Sequence, residues 1–214
     1  MKKNLTQKKI ASLSLLALVA ALSGVGQLAN AATATPYTVT LQTNVQEVIT
    51  LSCDAATVNM GNLTPGTPVT GTSVCTGTTN ANGGYDLLVK RDDADTTMDK
   101  VSDATVNIVD KTVWDPTANT NNGNAAVWSG TGLGFTVFAS TATKSTVWWG
   151  TGATVTDVLN KYAGFPTAAA NIMVYASYNS AGTTTSIGYK LDVPTTQRSG
   201  AYDGTVTYSA TSKA

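Results

Sequence analysis

The chain has no histidine. That removes Ser-His-Asp and Cys-His nucleophilic catalysis, along with every zinc site built on imidazole. Its one glutamate is Glu47, so a carboxylate pair for acid and base work would have to come from aspartates. The aspartates do cluster, as Arg91-Asp92-Asp93-Ala94-Asp95 followed by Asp99 and Asp103. Asp93, Asp95, Thr97 and Asp99 recur on alternate residues, the spacing by which a loop wraps oxygens round calcium. Met98, however, stands where such a loop turns on glycine, and Ala104 where it needs a bidentate glutamate. The stretch therefore reads as a solvated acidic loop, with a weak calcium site at Asp93, Asp95 and Asp99 as the alternative. No other combination of residue types marks a catalytic centre, so the expectation is a protein that is not an enzyme and uses no cofactor.

Four tryptophans, Trp114, Trp128, Trp148 and Trp149, fall within one third of the chain. Indoles beside Asn and Asp can stack on sugar rings, which makes them a candidate carbohydrate site; Trp is also a common core residue. Trp148 and Trp149 are adjacent, and on an extended chain only one of them can point inward. The two cysteines, Cys53 and Cys75, are expected to form a disulfide in an exported protein. Two unpaired thiols are the alternative if strand geometry holds them apart.

Export is the expectation from the first residues. Lys2, Lys3, Lys8 and Lys9 precede an uncharged run from Ile10 to Leu22, and Ala29-Asn30-Ala31 has the small-x-small form of a cleavage site. Residues 1–31 thus read as a signal peptide and 32–214 as a single mature domain. The apolar run is too short for a spanning helix, and no membrane span is expected after cleavage. Without the four leader lysines, nine basic residues face thirteen acidic ones, a formal charge of −4. Nucleic acid is excluded as a partner, because phosphate binding needs clustered basic residues.

The dominant pattern is alternation. Tyr37, Val39 and Leu41 oppose Thr38, Thr40 and Gln42; Ile187, Tyr189, Leu191 and Val193 oppose Ser186, Gly188, Lys190 and Asp192; Tyr202, Val206, Tyr208 and Ala210 oppose Asp203, Thr205, Thr207 and Ser209. Such a period of two predicts strands with one buried face. Further strands are predicted near Val45–Leu51, Thr57–Met60, Tyr85–Lys90, Thr105–Val109, Leu133–Ser140, Ser145–Trp148 and Ile172–Tyr178, separated by Gly, Pro and Asn turns. About ten short strands with this punctuation predict an all-β fold, a two-sheet antiparallel sandwich of immunoglobulin-like or pilin-like type. One short helix is expected near 154–162, and a long Asn/Gly-rich loop around 116–131.

The segment Val193-Pro194, then Ser199-Gly200-Ala201-Tyr202-Asp203-Gly204-Thr205-Val206-Thr207-Tyr208-Ser209-Ala210-Thr211, resembles the closing strand of bacterial surface β-sandwiches. WxL cell-wall-binding proteins end their domain on a comparable segment, and fimbrial subunits close similarly. Ile49-Thr50-Leu51-Ser52-Cys53, Val58-Asn59-Met60-Gly61-Asn62-Leu63-Thr64-Pro65-Gly66 and Asn82-Gly83-Gly84-Tyr85-Asp86-Leu87-Leu88-Val89 resemble the opening of such proteins in the same order. Tyr208-Ser209-Ala210 stands in the place of Trp-x-Leu. The resemblance implies a secreted cell-surface structural or adhesive protein, associating with a cell-wall polymer or with other surface subunits. Two rival expectations remain. One is a carbohydrate-binding module using the tryptophans. The other is a strand-exchanging subunit whose assembly strand carries Tyr37, Val39 and Leu41, which would form homo-oligomers.

Overall fold

Strands form where the alternation is strongest and a partner strand lies alongside. In the computed structural model, which describes residues 35–214, the order is β1 (Ile49–Cys53), β2 (Val69–Thr79), β3 (Tyr85–Arg91), β4 (Met98–Lys100), β5 (Asp103–Ile108), α1 (Ala118–Asn121), β6 (Ala126–Val127) and β7 (Gly132–Ser140). There follow α2 (Thr146–Trp149), β8 (Lys161–Tyr162), β9 (Ala170–Tyr175), β10 (Asn179–Asp192), β11 (Tyr202–Asp203) and β12 (Val206–Ser212). The fold is all-β, and its two principal layers are antiparallel sheets in the orders β1-β2-β10-β7 and β12-β3-β9. Small sheets β11-β4-β5 and β6-β8 complete it. The compact unit runs from Val45 to Ala214. The expected signal peptide, residues 1–31, lies outside the described residues. No helix among the described residues is long and apolar enough to cross a membrane.

The interior is filled by alternate residues of facing strands. Tyr85, Leu87 and Val89 of β3 are buried against Ile187, Tyr189 and Leu191 of β10 and Phe135 and Val137 of β7. The partner strand β2 contributes almost nothing bulky, turning Gly71, Ser73, Cys75, Gly77 and Thr79 inward. A side chain at Gly77 would collide with the Tyr85 ring, whose hydroxyl reaches Thr183 on β10, so the small residue lets a tyrosine bridge the layers. One further tie is ionic. Arg91 and Asp110 pair at 2.7 Å with side chains only 7% and 5% exposed. The same guanidinium donates to the carbonyls of Asp93 and Ala94, winding residues 92–97 round itself.

Several expected elements differ. Residues 35–44 carry neither helix nor strand, so the strand expected at 37–42 is absent; alternation makes a segment fit for a ladder but supplies no partner. Thr57–Met60 likewise has no ladder. Ser145–Trp148 is a helical turn, because Ser145 caps it by accepting from the Trp148 N–H at 3.2 Å. Residues 154–162 form turns and β8 instead of a helix. Asp157 accepts from the Leu159 N–H, and Asn160 donates to the Thr154 carbonyl, giving the backbone partners that compete with helical ones. The expected loop at 116–131 is shorter than its composition implies, since it holds α1 and β6. Asn119, Thr120 and Asn121 of α1 are left-handed, with φ of 53°, 59° and 66°.

Cys53 and Cys75 are directly opposed on β1 and β2 and form the expected disulfide. It closes a loop of sequence separation 22, which restricts the unfolded chain by about 3 kcal/mol. A Cys53→Ser, Cys75→Ser double variant is expected to keep the fold and lose about that much stability, read as a lowered urea midpoint with a steeper slope, because the unfolded chain is no longer cross-linked.

Candidate functional site

β1 ends the first sheet and β12 ends the second, and among the described residues neither has a ladder partner on its outer edge. The two edges lie side by side, with Ser212 Oγ donating to Glu47 Oε2 at 2.9 Å. Inward-facing Ile49 and Leu51 of β1 and Val206, Tyr208 and Ala210 of β12 are only half-buried. Beside the Cys53 end of β1 and the Val206 end of β12 lies a cavity of about 1070 Å³ that enters the sandwich core. Met98, Ile108, Leu133, Phe165, Leu191 and Val193 provide much of its apolar wall. The segments 53–63 and 197–206 flank its mouth.

One polar feature crosses the floor. Ser73, Tyr189 and Tyr208 form a hydroxyl chain, with oxygens 2.7 Å apart between Ser73 and Tyr189 and 2.9 Å apart between Tyr189 and Tyr208. It links β2, β10 and β12 and so joins the layers beneath the groove. Burial pushes the Tyr189 phenol up, and pushes that of Tyr208 well above its ordinary value. These groups are neutral hydrogen-bonding partners at neutral pH. They offer orientation to a guest but no acid or base.

The aspartates predicted to hold calcium do come together. Carboxylate oxygens of Asp93, Asp95 and Asp99 lie within 4.8 Å of one another. Most of their donors are local, however: the Asp95 N–H bonds Asp93 at 3.1 Å, Thr96 Oγ1 bonds Asp99 at 2.9 Å, and Asn107 Nδ2 bonds Asp95 at 2.8 Å. The hydrogen bond between the Asp93 and Asp95 carboxyls raises the first and lowers the second, as expected when two carboxyls share a proton. The loop thus satisfies its oxygens from within and rests on the Arg91 guanidinium.

The tryptophans do not make a shared platform. Trp114 and Trp149 are 2% and 0% exposed, which corrects their candidacy for stacking on sugars. Their ring centroids are 4.5 Å apart, and their indole N–H groups donate to the carbonyls of Asn171 and Ile172. The expectation that one of Trp148 and Trp149 points inward is met by Trp149, while Trp148 is half-buried with its edge against Trp114. Trp128 is also half-buried, and Lys111 Nζ sits over its ring at 4.2 Å, with Lys190 Nζ at 5.1 Å. Tyr37, Val39 and Leu41, the expected assembly strand, are 92%, 68% and 91% exposed.

No family model matches the sequence, and no curated protein matches it. The groove was missed in the sequence because its walls come from residues far apart in the chain. The one available signal was the half-filled alternation of Val206, Tyr208 and Ala210.

Burial raises the Tyr85 phenol to about 12, and raises those of Tyr162, Tyr189 and Tyr208. The folded state therefore favours their protonated forms, a stabilisation complete below the unfolded tyrosine value of about 10. It is lost as the pH climbs toward 12. Absorbance at about 295 nm should show Tyr85, Tyr162, Tyr189 and Tyr208 ionising only above the ordinary tyrosine value of about 10, together with the loss of near-ultraviolet circular dichroism. Ionisation of these four at about pH 10 with the fold intact would contradict this packing.

Proposed function

We propose that this protein is a non-catalytic, secreted structural subunit that joins copies of itself at the cell surface by lending an extended segment to the groove of the next copy. The reading is carried by the fit between that groove and residues 37–45. The groove has an apolar wall that enters the core, and it runs past Val206 and Tyr208 of β12, a strand with no ladder partner on its outer edge among the described residues. Tyr37, Val39, Leu41 and Val45 are all exposed and lie on alternate positions, with Thr43 between the last two. Extended at ~3.3 Å per residue, such a segment is long enough to run the whole of the seven-residue β12. It would supply both the missing ladder and the missing side chains, since strand addition draws affinity from main-chain hydrogen bonds and specificity from alternate pockets.

The leader and the disulfide support an oxidising destination outside the cytoplasm. The absence of histidine and the neutral hydroxyl groups of the groove support a role without catalysis. Attachment to a cell-wall polymer is the alternative use of the same surface placement. Sugar stacking is less well supported, because two of its four tryptophans are core residues.

The purified mature chain is expected to form concentration-dependent oligomers, seen by light scattering and as ladders on unheated gels. Deleting Ala32–Gln42 should leave a monomer of unchanged circular dichroism. Leu41→Asp alone should weaken assembly by about tenfold or more, because a charge would enter an apolar wall. A mature chain that stays monomeric at every concentration, with or without the segment, would refute self-assembly.

A further inference from the structure

The segment that flanks the groove mouth on the β1 side is built unlike the rest of the molecule. Among the described residues, no backbone N–H or C=O from Ala55 to Leu63 pairs with another backbone group. Both ends are nevertheless fixed. At one end stand the Cys53–Cys75 disulfide and Asp54, whose N–H donates to the Val74 carbonyl and whose carboxylate accepts from the Val74 N–H. At the other, the Gly66 N–H reaches the Val193 carbonyl at 3.3 Å and the Asp192 carboxylate at 2.9 Å.

Between these ends the segment is held by side chains alone. Val58, Met60 and Leu63 are half-buried against the core, while Asn59, Gly61 and Asn62 face solvent. They sit over Gly71 of β2. A β carbon there would lie 2.5 Å from Val58 Cγ1 and 3.5 Å from Met60 Cγ. Gly71 has an ordinary strand backbone with no positive φ, so the glycine is required by the side chain lying on it and not by its own conformation. Glycine inside a strand weakens the ladder and often marks a close approach by other groups. Here that approach is made by residues 58 and 60.

We propose that residues 55–63 are a removable strap: Val58, Met60 and Leu63 occupy the groove of the unassembled subunit and are displaced when the strand of a second copy enters. The inference rests on the groove reading given above and adds its regulation. A strap without ladder bonds detaches locally, without opening the sheets, since segments with few backbone hydrogen bonds belong to the least stable parts of a fold. An incoming strand offers similar apolar groups and, in addition, backbone pairing with the free edge of β12. The exchange therefore favours the assembled form. Before exchange, the strap covers apolar surface that would otherwise invite indiscriminate pairing.

The test is the rate at which the mature chain captures a fluorescent peptide of residues 35–47, followed by anisotropy. Met60→Ser loosens the strap and should speed capture by about tenfold or more. Val58→Cys with Gly71→Cys brings two β carbons within disulfide range and should pin the strap, slowing capture by about as much. Mass spectrometry confirms that the added bond has formed beside Cys53–Cys75. Equal capture rates in the wild type, M60S and the pinned variant would overturn the strap while leaving the groove reading intact. If neither the wild type nor M60S captured the peptide, the groove reading would fail and the strap with it. Should the double-cysteine chain not fold, the comparison of M60S with the wild type still decides the matter.

Discussion

The spacing between the two layers is set along β2, where the interior receives Gly71, Ser73, Cys75, Gly77 and Thr79 in place of large side chains. What fills the vacated space changes along the strand. At Gly77 it is the Tyr85 ring from the opposite layer, stacked on Tyr175 at 4.6 Å. At Ser73 it is Tyr189, from the adjacent strand, hydrogen-bonded onward to Tyr208. At Gly71 the nearest groups are Val58 and Met60 from a loop, with the edge of the Tyr189 ring behind them. The closed and open parts of the sandwich thus follow from one run of small residues. An aromatic hydroxyl that spans the layers contributes both apolar burial and a satisfied polar tip, whereas a loop side chain contributes burial alone.

This arrangement also explains which parts of the fold were legible in the sequence. Strands that bring large alternating residues to the core, Tyr85–Arg91 and Gly132–Ser140, stand close to where their patterns predict them, and β10 does so over its second half, whereas its first half runs through the expected turn at Ala181-Gly182. The eleven-residue strand β2 went unread, because alternation of Gly, Ser, Cys and Thr against Thr and Val carries no hydrophobic period. Its existence depends on the tyrosines that lie on it, and those are assigned by tertiary contact. The short helical turn at Thr146–Trp149 was misread for a similar reason: Ser145 decides it through one capping bond, against a β-rich local composition.

The functional residues divide along the same line. The pairing of Cys53 with Cys75 was legible, since a chain with only two cysteines leaves few alternatives. The gathering of Asp93, Asp95 and Asp99 was legible from spacing, but not the Arg91 guanidinium held under that loop by Asp110. That pair matters to the acidic loop because the guanidinium donates to the carbonyls of Asp93 and Ala94 and so fixes the loop's backbone. The tryptophans were visible as a group, yet their burial was not, because indole serves equally well as core filler and as exposed stacking surface.

The pairing of β12 with β3 has a consequence for the order of events during synthesis. Val206 to Ser212 lie beside Arg91 to Tyr85, so the second sheet has only two of its three strands until residue 212 has been made. Distant pairings of this kind form late, because the intervening chain must be ordered before the contact repays it. A nascent molecule therefore lacks a finished core until residues 206–212 have emerged from the ribosome, and stays threadable through a narrow channel up to that point.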